Sequence, residues 1–296
     1  MKALVVAEHL EAARELVAGA RTLADEVTCV AFGDAAGYPG DRALALGVPE
    51  GRVREDCAAT LVGLLDAEGF GAVLVEPTRC LRTVAGRLAA HAGTAAITDV
   101  TSFEEQGARS LYFGGAAERV RRVEGPLAVY TVAAGAFGDA GEAAGPAATV
   151  EELSWVEPER PVRLVSSRAL ERTGADLGRA DAVVAAGRGF TEEGQLDLAR
   201  ALCERIGAGL GCSRPLTEGV GWLPSETYIG VSGLMLTPKV YVACGISGQM
   251  QHMVGCNRAG AVFAINRDKN APIFKQCDYG LVGDLADVLP AVAAAL

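Results

Sequence analysis

Short apolar runs alternate with longer helix-like stretches through the first half of the chain. Residues 3–7, 27–32 and 72–75 are rich in apolar and β-branched side chains that favour strands, whereas residues 11–20, 57–67 and 84–91 are Ala-rich and have the length of helices. Strands that alternate with helices predict an α/β fold with a mostly parallel sheet covered on both faces. Two later runs, 109–114 and 127–133, are predicted to continue this sheet.

The pattern is interrupted between residues 135 and 163, where Gly, Ala, Pro and Glu accumulate. Pro146, Pro158 and Pro161 discourage regular structure, so a domain boundary is predicted near residue 165. Strand-like runs resume at 181–186, 240–244 and 261–265. A chain of 296 residues that is 50% hydrophobic can form two cores. We therefore predict two α/β domains, 1–165 and 166–296, the second doubly wound.

One turn of the second domain indicates a ligand. Gly245–Gly248 follows the predicted strand 240–244 and precedes a segment that can begin a helix. Unpaired backbone N–H groups and the positive end of a helix dipole meet at such a turn, which predicts a phosphate or pyrophosphate there. Gln249 and His252, three residues apart, are expected on one helical face beside it, with Gln251 pointing elsewhere. A lone histidine is more often structural, but the polar surroundings favour a ligand contact for His252.

Two further turns follow predicted strands. One contains Arg188 and Gly189, and the other contains Ser213 and Arg214. Because ligands of parallel sheets bind at the carboxyl ends of the strands, the three turns are expected to border one crevice. Each turn taken alone is equally typical of a glycine turn with a solvated arginine. Asn266 and Asp278 follow or precede strand-like runs and are candidates for contacts with ribose or adenine, with turn formation as the competing explanation.

Composition excludes several other classes of protein. The net charge of −10 opposes a nucleic-acid-binding surface. The chain contains no H-E-x-x-H, Walker A, G-x-S-x-G or G-x-G-x-x-G motif, and its three histidines are scattered, which argues against a zinc centre or a Ser-His-Asp hydrolase. The eight cysteines form no C-x-x-C pair and are expected to be reduced, mostly in the core.

The expected location is the cytoplasm of a bacterium or archaeon. No apolar run approaches the roughly 20 residues that cross a bilayer. Met1 and Lys2 lead directly into an apolar stretch, which leaves no room for a signal peptide.

Five segments in a fixed order, 187–189, 211–215, 245–252, 264–274 and 278–285, closely resemble the large (alpha) subunit of electron transfer flavoproteins, and especially the variants of anaerobic bacteria. The resemblance covers nearly all of 175–296 and extends more weakly into the first domain through residues 5–9 and 97–100. It implies an electron carrier that binds FAD mainly in its second domain and pairs with a smaller beta subunit. The first domain is expected to make that subunit contact.

The resemblance also implies partners and roles. The carrier would pass electrons between a flavin dehydrogenase or reductase, acyl-CoA dehydrogenase-like or related, and another redox partner. Some of the similar variants divide electrons between two acceptors, and the second flavin or nucleotide site of such complexes belongs largely to the beta chain. The residues expected to contact FAD are Arg188, Gly189, Ser213, Arg214, Val231, Ser232, Gly245, Ile246, Ser247, Gly248, Gln249, Gln251, His252, Asn266, Asp268, Asp278 and Tyr279.

The resemblance assigns these residues to different parts of FAD. The arginines would flank the flavin and its phosphates, Ser247 and the turn amides would hold the pyrophosphate, and Gln251 and His252 would face the flavin ring and ribityl chain. Asn266 and Asp278 would contact the adenosine half. No residue is expected to act as a general acid or nucleophile, because a carrier only binds the ring and sets its potential. Arg214 and His252 are predicted to supply positive charge near that ring.

One segment departs from the family pattern. Residues 230–234 read Gly-Val-Ser-Gly-Leu, where the commonest members carry Gly-Gln-Thr-Gly-Lys. Ser232 keeps a hydroxyl for flavin N5, but Val231 and Leu234 remove an amide and a positive charge, so a different flavin potential is expected.

Two alternatives remain open. A nicotinamide-dependent oxidoreductase could use the same pyrophosphate turn, although it lacks the G-x-G-x-x-G motif and an acid/base pair. A regulatory protein that binds an adenine nucleotide would also fit the turn. A yellow protein with flavin absorption would distinguish the carrier from both.

Overall fold

The computed structural model describes residues 1–113, 117–138, 145–168 and 176–296. The chain divides into two compact units, Met1–Ala169 and Leu170–Leu296, close to the boundary predicted near residue 165. Both units are α/β, as predicted.

The first unit contains a nine-stranded sheet, counted over its described residues. Its strands are β1 (Lys2–Ala7), β2 (Glu26–Phe32), β3 (Arg42–Leu46), β4 (Ala72–Val75), β5 (Ala96–Glu104), β6 (Gly107–Tyr112), β7 (Ala117–Arg121), β8 (Ala128–Val132) and β9 (Thr149–Leu153). They lie in the order β7-β6-β5-β8-β4-β1-β2-β3-β9. Strand β1, an inner strand of this sheet, pairs in parallel with β2 and β4. It is buried on both faces, which explains its continuous apolar run.

Helices cover both faces of this sheet. They are α1 (Leu10–Arg21), α2 (Ala58–Glu68) and α3 (Arg79–His91). Alternate residues of β1 point to opposite faces, so Val5 packs in the core with Leu16 of α1 while Val6 packs in the core with Leu61 and Val84. α3 begins five residues before the predicted start at 84, because the Thr78 hydroxyl caps it by accepting the Leu81 N–H at 3.1 Å.

Two features of the first sheet differ from the expectation. The run predicted at 109–114 joins the sheet as β6, but it is antiparallel to β5 and β7, and its last residue lies outside the described part of the chain. β9 was missed because its sequence, Thr-Val-Glu-Glu-Leu, lies among prolines and four of its five residues are exposed. It is an edge strand and pairs only with β3 among the described residues.

The second unit contains five parallel strands in its described part. They are β10 (Ala182–Ala186), β11 (Gly209–Cys212), β12 (Val240–Cys244), β13 (Ala261–Asn266) and β14 (Tyr279–Val282), in the order β11-β10-β12-β13-β14. One face packs against α4 (Leu196–Ile206) and α6 (Leu285–Ala295). The other face packs against Ile229, Leu236, Met253 and Ile273, which lie on connecting segments and short helical turns. These connections approach the carboxyl ends of the strands.

No helix in the described residues is both long and apolar enough to cross a membrane. Six of the eight cysteines are buried, in agreement with their predicted place in the cores.

Candidate cofactor-binding site

A cavity of about 490 Å³ lies at the carboxyl ends of β10, β11, β12 and β13. The three turns that the sequence predicted to border one crevice all line it. Its wall consists of Arg188, Gly189, Ser213, Arg214, Pro215, Tyr228, Gly245, Ile246, Ser247, Gln249, Gln251, His252, Asn266, Arg267, Asp268, Ala271 and Pro272.

Two of these turns cross with their backbones in contact. The Gly189 N–H donates to the Gly245 carbonyl at 2.9 Å, and a Cβ added at Gly189 would lie 2.5 Å from Gly245 Cα. Gly245 itself has φ +65°, a conformation that favours glycine. Side chains at these positions would therefore push the turns after β10 and β12 apart.

The Gly245–Gly248 turn is anchored through its carbonyl groups. Asn266 Nδ2 donates to the Ile246 carbonyl at 2.9 Å, the Ile273 N–H donates to Ser247 at 3.0 Å, and Gln276 Nε2 donates to Gly248 at 2.8 Å. The backbone N–H groups of residues 246–251, by contrast, find no acceptor within the described parts of the chain. Buried or ligand-facing N–H groups need acceptors, so this run of donors is suited to an anion.

The segment that follows the turn is shorter than expected. The helix α5 (Met250–Met253) is a single turn of four residues, so little helix dipole is available. Gln249 is its N-cap and is exposed, whereas His252 is buried. Gln249 and His252 nevertheless both line the cavity, although Gln249 caps the short helix and does not lie within it. Backbone amides without acceptors in the described chain replace the helix dipole as the source of positive potential.

His252 forms part of the cavity wall but is only 7% exposed. Its Nε2 lies 2.7 Å from the hydroxyl of Tyr241, and its Nδ1 is buried without a partner in hydrogen-bond geometry among the described residues. Burial lowers the pKa of His252 to about 4, and interaction with the backbone of Ile229 opposes part of this shift. His252 is therefore neutral near pH 7, and the prediction that it supplies positive charge is wrong for this structure.

The arginines differ in their surroundings. Arg188 is exposed at the cavity and pairs with no acidic group in the described residues. Arg214 Nε lies 2.6 Å from Oε2 of Glu218, four residues later, and this carboxylate raises the pKa of the Arg214 guanidinium. The charge of Arg214 is thus already partly compensated. Ser213 is buried in the wall, and its N–H donates to the carbonyl of Ala186.

Several predicted residues lie away from the cavity wall. Val231 and Ser232 occupy an exposed turn, which is linked to the site by a hydrogen bond from the Val231 N–H to the Gln251 carbonyl at 2.9 Å. Asp278 and Tyr279 lie at the amino end of β14, where Asp278 accepts the Val262 N–H at 2.8 Å. Gly248 shapes its turn with φ +80° but does not line the cavity.

The amide of Asn266 is used within the protein. Its Nδ2 holds Ile246 and its Oδ1 accepts the Asp268 N–H at 3.0 Å, so the side chain fixes one turn against another. Asp268 lines the cavity and accepts the Asn270 N–H. The turn-forming explanation thus describes what the Asn266 side chain does in this structure.

The sequence reasoning missed Tyr228, Pro215, Arg267, Ala271 and Pro272. Arg267 could have been found, because it directly follows Asn266 at the carboxyl end of a parallel strand. Tyr228 reaches the cavity from a connecting segment that is held by isolated bridges, and no local motif marks it.

Comparison with known proteins places this site in a family. The family described as "Electron transfer flavoprotein FAD-binding domain" matches residues 176–257, and the "Electron transfer flavoprotein domain" matches residues 3–157. Protein FixB of Escherichia coli O157:H7 and protein FixB of Shigella flexneri are each 37% identical to this chain over 296 residues, which cover 95% of the chain and 94% of the relative. The chain belongs to the electron transfer flavoprotein alpha-subunit family.

FAD is accordingly the cofactor of the second unit of this electron transfer flavoprotein subunit. The residues present fit it. The turn amides and Arg188, none of which has a partner in the part of the chain that the structure describes, suit the two phosphates. The glycine crossing brings the backbone to the cavity surface without side chains between.

Proposed function

We propose that the chain is the FAD-binding subunit of a heterodimeric electron carrier, which receives electrons from a flavin dehydrogenase or reductase and passes them to a second redox partner. The observation that carries this proposal is the cavity at the carboxyl ends of the second sheet. It combines six backbone amides and a guanidinium that have no partner in the described residues with a glycine-lined approach. The FAD phosphates carry negative charge, and this cavity offers the matching donors.

Each part of the site has a role in this proposal. The amides of residues 246–251 and Arg188 bind the pyrophosphate. Tyr228, His252 and Arg214 border the remaining part of the cavity and orient the flavin ring. Bound FAD supplies the capacity to accept and release electrons one or two at a time. The chain positions the ring, limits its access to water and sets the charge around it.

The beta subunit is the expected partner, since alpha subunits of this family normally pair with one. A carrier must bring its flavin close to a second protein surface, and the second subunit is where a further cofactor or docking surface would lie. The donor is proposed as a flavin dehydrogenase or reductase, from the resemblance of the second domain to such carriers.

Co-expression with the neighbouring reading frame of the source genome tests the proposal. We expect a yellow one-to-one heterodimer that contains FAD in this chain's cavity, and a flavin spectrum that bleaches on reduction. Flavin content per heterodimer should fall strongly when Arg188 is replaced by Ala and remain unchanged in Arg200→Ala, since Arg200 lies on α4 outside the cavity.

Two outcomes would contradict the proposal. A colourless complex that releases only AMP or ADP on heating would favour the regulatory nucleotide-binding protein. A complex that binds NADH but retains no flavin would favour the nicotinamide-dependent oxidoreductase.

A further inference from the structure

A fully buried tyrosine lies behind the cavity wall in the second unit. Tyr241, the second residue of β12, has no exposed surface, and its hydroxyl lies 2.7 Å from Nε2 of His252. A buried hydroxyl must find a hydrogen-bond partner, and the imidazole nitrogen is a strong one. His252 in turn borders the cavity proposed for FAD.

The direction of this hydrogen bond determines where the imidazole proton lies. A neutral imidazole carries one proton, on Nδ1 or on Nε2. If the tyrosine hydroxyl donates to Nε2, the proton must be on Nδ1. If the hydroxyl instead accepts from Nε2, its own proton needs another acceptor.

The other neighbour of the hydroxyl is a poor acceptor. Cys256 interacts with Tyr241, but a thiol sulfur accepts hydrogen bonds weakly, and the Cys256 thiol is itself directed to the His252 carbonyl. The imidazole nitrogen is therefore the better acceptor for the tyrosine proton.

We infer that Tyr241 is a positioning residue that locks His252 into the neutral tautomer with its proton on Nδ1, so that an uncharged imidazole borders the flavin. This inference rests on the function proposed above. Tyr241 does not touch the cavity, and it acts through His252.

The surroundings of the pair support an uncharged imidazole. The titratable groups that influence Tyr241 are the thiols of Cys212, Cys244 and Cys256. In the described residues no carboxylate or guanidinium shifts the pKa of either Tyr241 or His252. A protonated His252 would have to donate a hydrogen bond from Nε2 to the Tyr241 hydroxyl. The hydroxyl could then no longer donate to the imidazole, and the Cys256 sulfur would be the remaining acceptor for its proton. Burial also raises the pKa of Tyr241, so the hydroxyl stays protonated.

Nitrogen NMR of the heterodimer with [¹⁵N]histidine in this chain tests the inference directly, because protonated and unprotonated ring nitrogens have widely separated shifts. The chain has only three histidines, His9, His91 and His252, and His252→Gln assigns the signal. In protein with and without FAD, we expect His252 to show a protonated Nδ1 and an unprotonated Nε2 from pH 8 to pH 5.5. In Tyr241→Phe, the ratio of the Nδ1–H to the Nε2–H form should fall about fivefold, as expected for loss of one hydrogen bond.

Tyr130→Phe is the matched control, since Tyr130 is also a buried tyrosine on a parallel strand but lies in the first unit. It should leave the His252 tautomer unchanged, as should Cys256→Ala. If Tyr241→Phe lets His252 become protonated near pH 6, the midpoint potential of the bound flavin should exceed that of the parent protein by more at pH 6 than at pH 8.

Three results would overturn the inference. They are a charged His252 at pH 7 in the parent protein, a proton on Nε2, and a tautomer that shifts in Cys256→Ala. If Tyr241→Phe does not fold, the His252 tautomer in the parent protein and in Cys256→Ala still tests the inference. Failure of the heterodimer to bind FAD would refute the proposed function, whereas the tautomer of the flavin-free protein would still test the inference.

Discussion

At the scale of single residues, charge near the cavity is controlled by local partners. Arg214 forms an ion pair with Glu218, and burial keeps His252 neutral. Arg188 has no acidic partner among the described residues. Counting basic residues in the sequence therefore overestimates the positive potential in the cavity.

The pair of Arg214 and Glu218 offers a test of this potential. Glu218→Gln removes the compensating carboxylate, so the reduced flavin should be better stabilised and the midpoint potential should rise. Arg214→Ala should lower the potential by a similar amount. Spectroelectrochemical titration of the heterodimers measures both, and equal potentials in all three proteins would remove Arg214 from the redox role.

His252 makes stability depend on pH in the flavin-free protein. Its pKa is about 4 in the folded chain and 6.5 in the unfolded chain, so the unfolded state binds more protons between these values. The stabilisation is complete above pH 6.5 and is lost as the pH falls toward 4, by up to about 3 kcal/mol.

Denaturant unfolding of the parent chain and of His252→Gln between pH 7.5 and pH 4 measures this term. The difference in unfolding free energy between the two proteins should shrink or reverse as the pH falls. His91→Gln is the control, because His91 is partly exposed and pairs with Asp66 on the surface. Parallel pH profiles for the parent chain and His252→Gln would contradict the low pKa.

At the scale of elements, the site depends on how closely the turns after β10 and β12 approach. Gly189→Ala would place a Cβ 2.5 Å from Gly245 Cα, against backbone that cannot rotate away. We expect it to lower the unfolding free energy of the second unit by about 1–3 kcal/mol and to reduce FAD retention.

Gly194→Ala is the matched control in the same unit. A Cβ at Gly194 meets no atom within 4 Å, and its φ is not positive, so the free energy of unfolding should change by less than about 0.5 kcal/mol. Thermal unfolding and flavin content of Gly189→Ala and Gly194→Ala measure whether the crossing of the two turns requires glycine. Equal behaviour would show that the crossing tolerates side chains.

The elements also show what sequence patterns can and cannot predict. Buried parallel strands such as β1, β10 and β12 were predictable, because burial on both faces requires continuous apolar runs. β9 was not, because an exposed edge strand needs no such run. The short length of α5 was also missed, since the sequence after Gly248 permits a longer helix than the single turn that forms.

The part of the site that could be predicted is the part whose position follows from the parallel strands. Residues directly after parallel strands, such as Arg188, Ser213 and Ser247, lie at the cavity because of that topology. Asp278 precedes its strand, so the same rule places it at the opposite edge of the sheet. The neutral state of His252 could not be read from the sequence, because it depends on burial created by residues far along the chain.

At the scale of the whole molecule, the chain belongs to the electron transfer flavoprotein alpha-subunit family, and both of its units are matched by that family. The proposed carrier needs no catalytic residue, which agrees with a site made of backbone amides, glycines and arginines. The central claim is that backbone N–H groups of the turn hold the FAD phosphates.

Replacement of Gln249 by proline tests this claim most directly. Gln249 has φ −65°, which proline adopts, and its N–H has no acceptor in the described chain, so Gln249→Pro deletes one donor without breaking a protein hydrogen bond. Gln249→Ala removes the same side chain but keeps the N–H.

The measurement is the FAD dissociation constant of the two variant heterodimers and the parent, with thermal unfolding of the flavin-free proteins to show that the fold is kept. We expect Gln249→Pro to weaken FAD binding about tenfold or more, as for loss of a hydrogen bond to a charged group, and Gln249→Ala to stay within about threefold of the parent. Equal affinities for the proline and alanine variants would contradict the account.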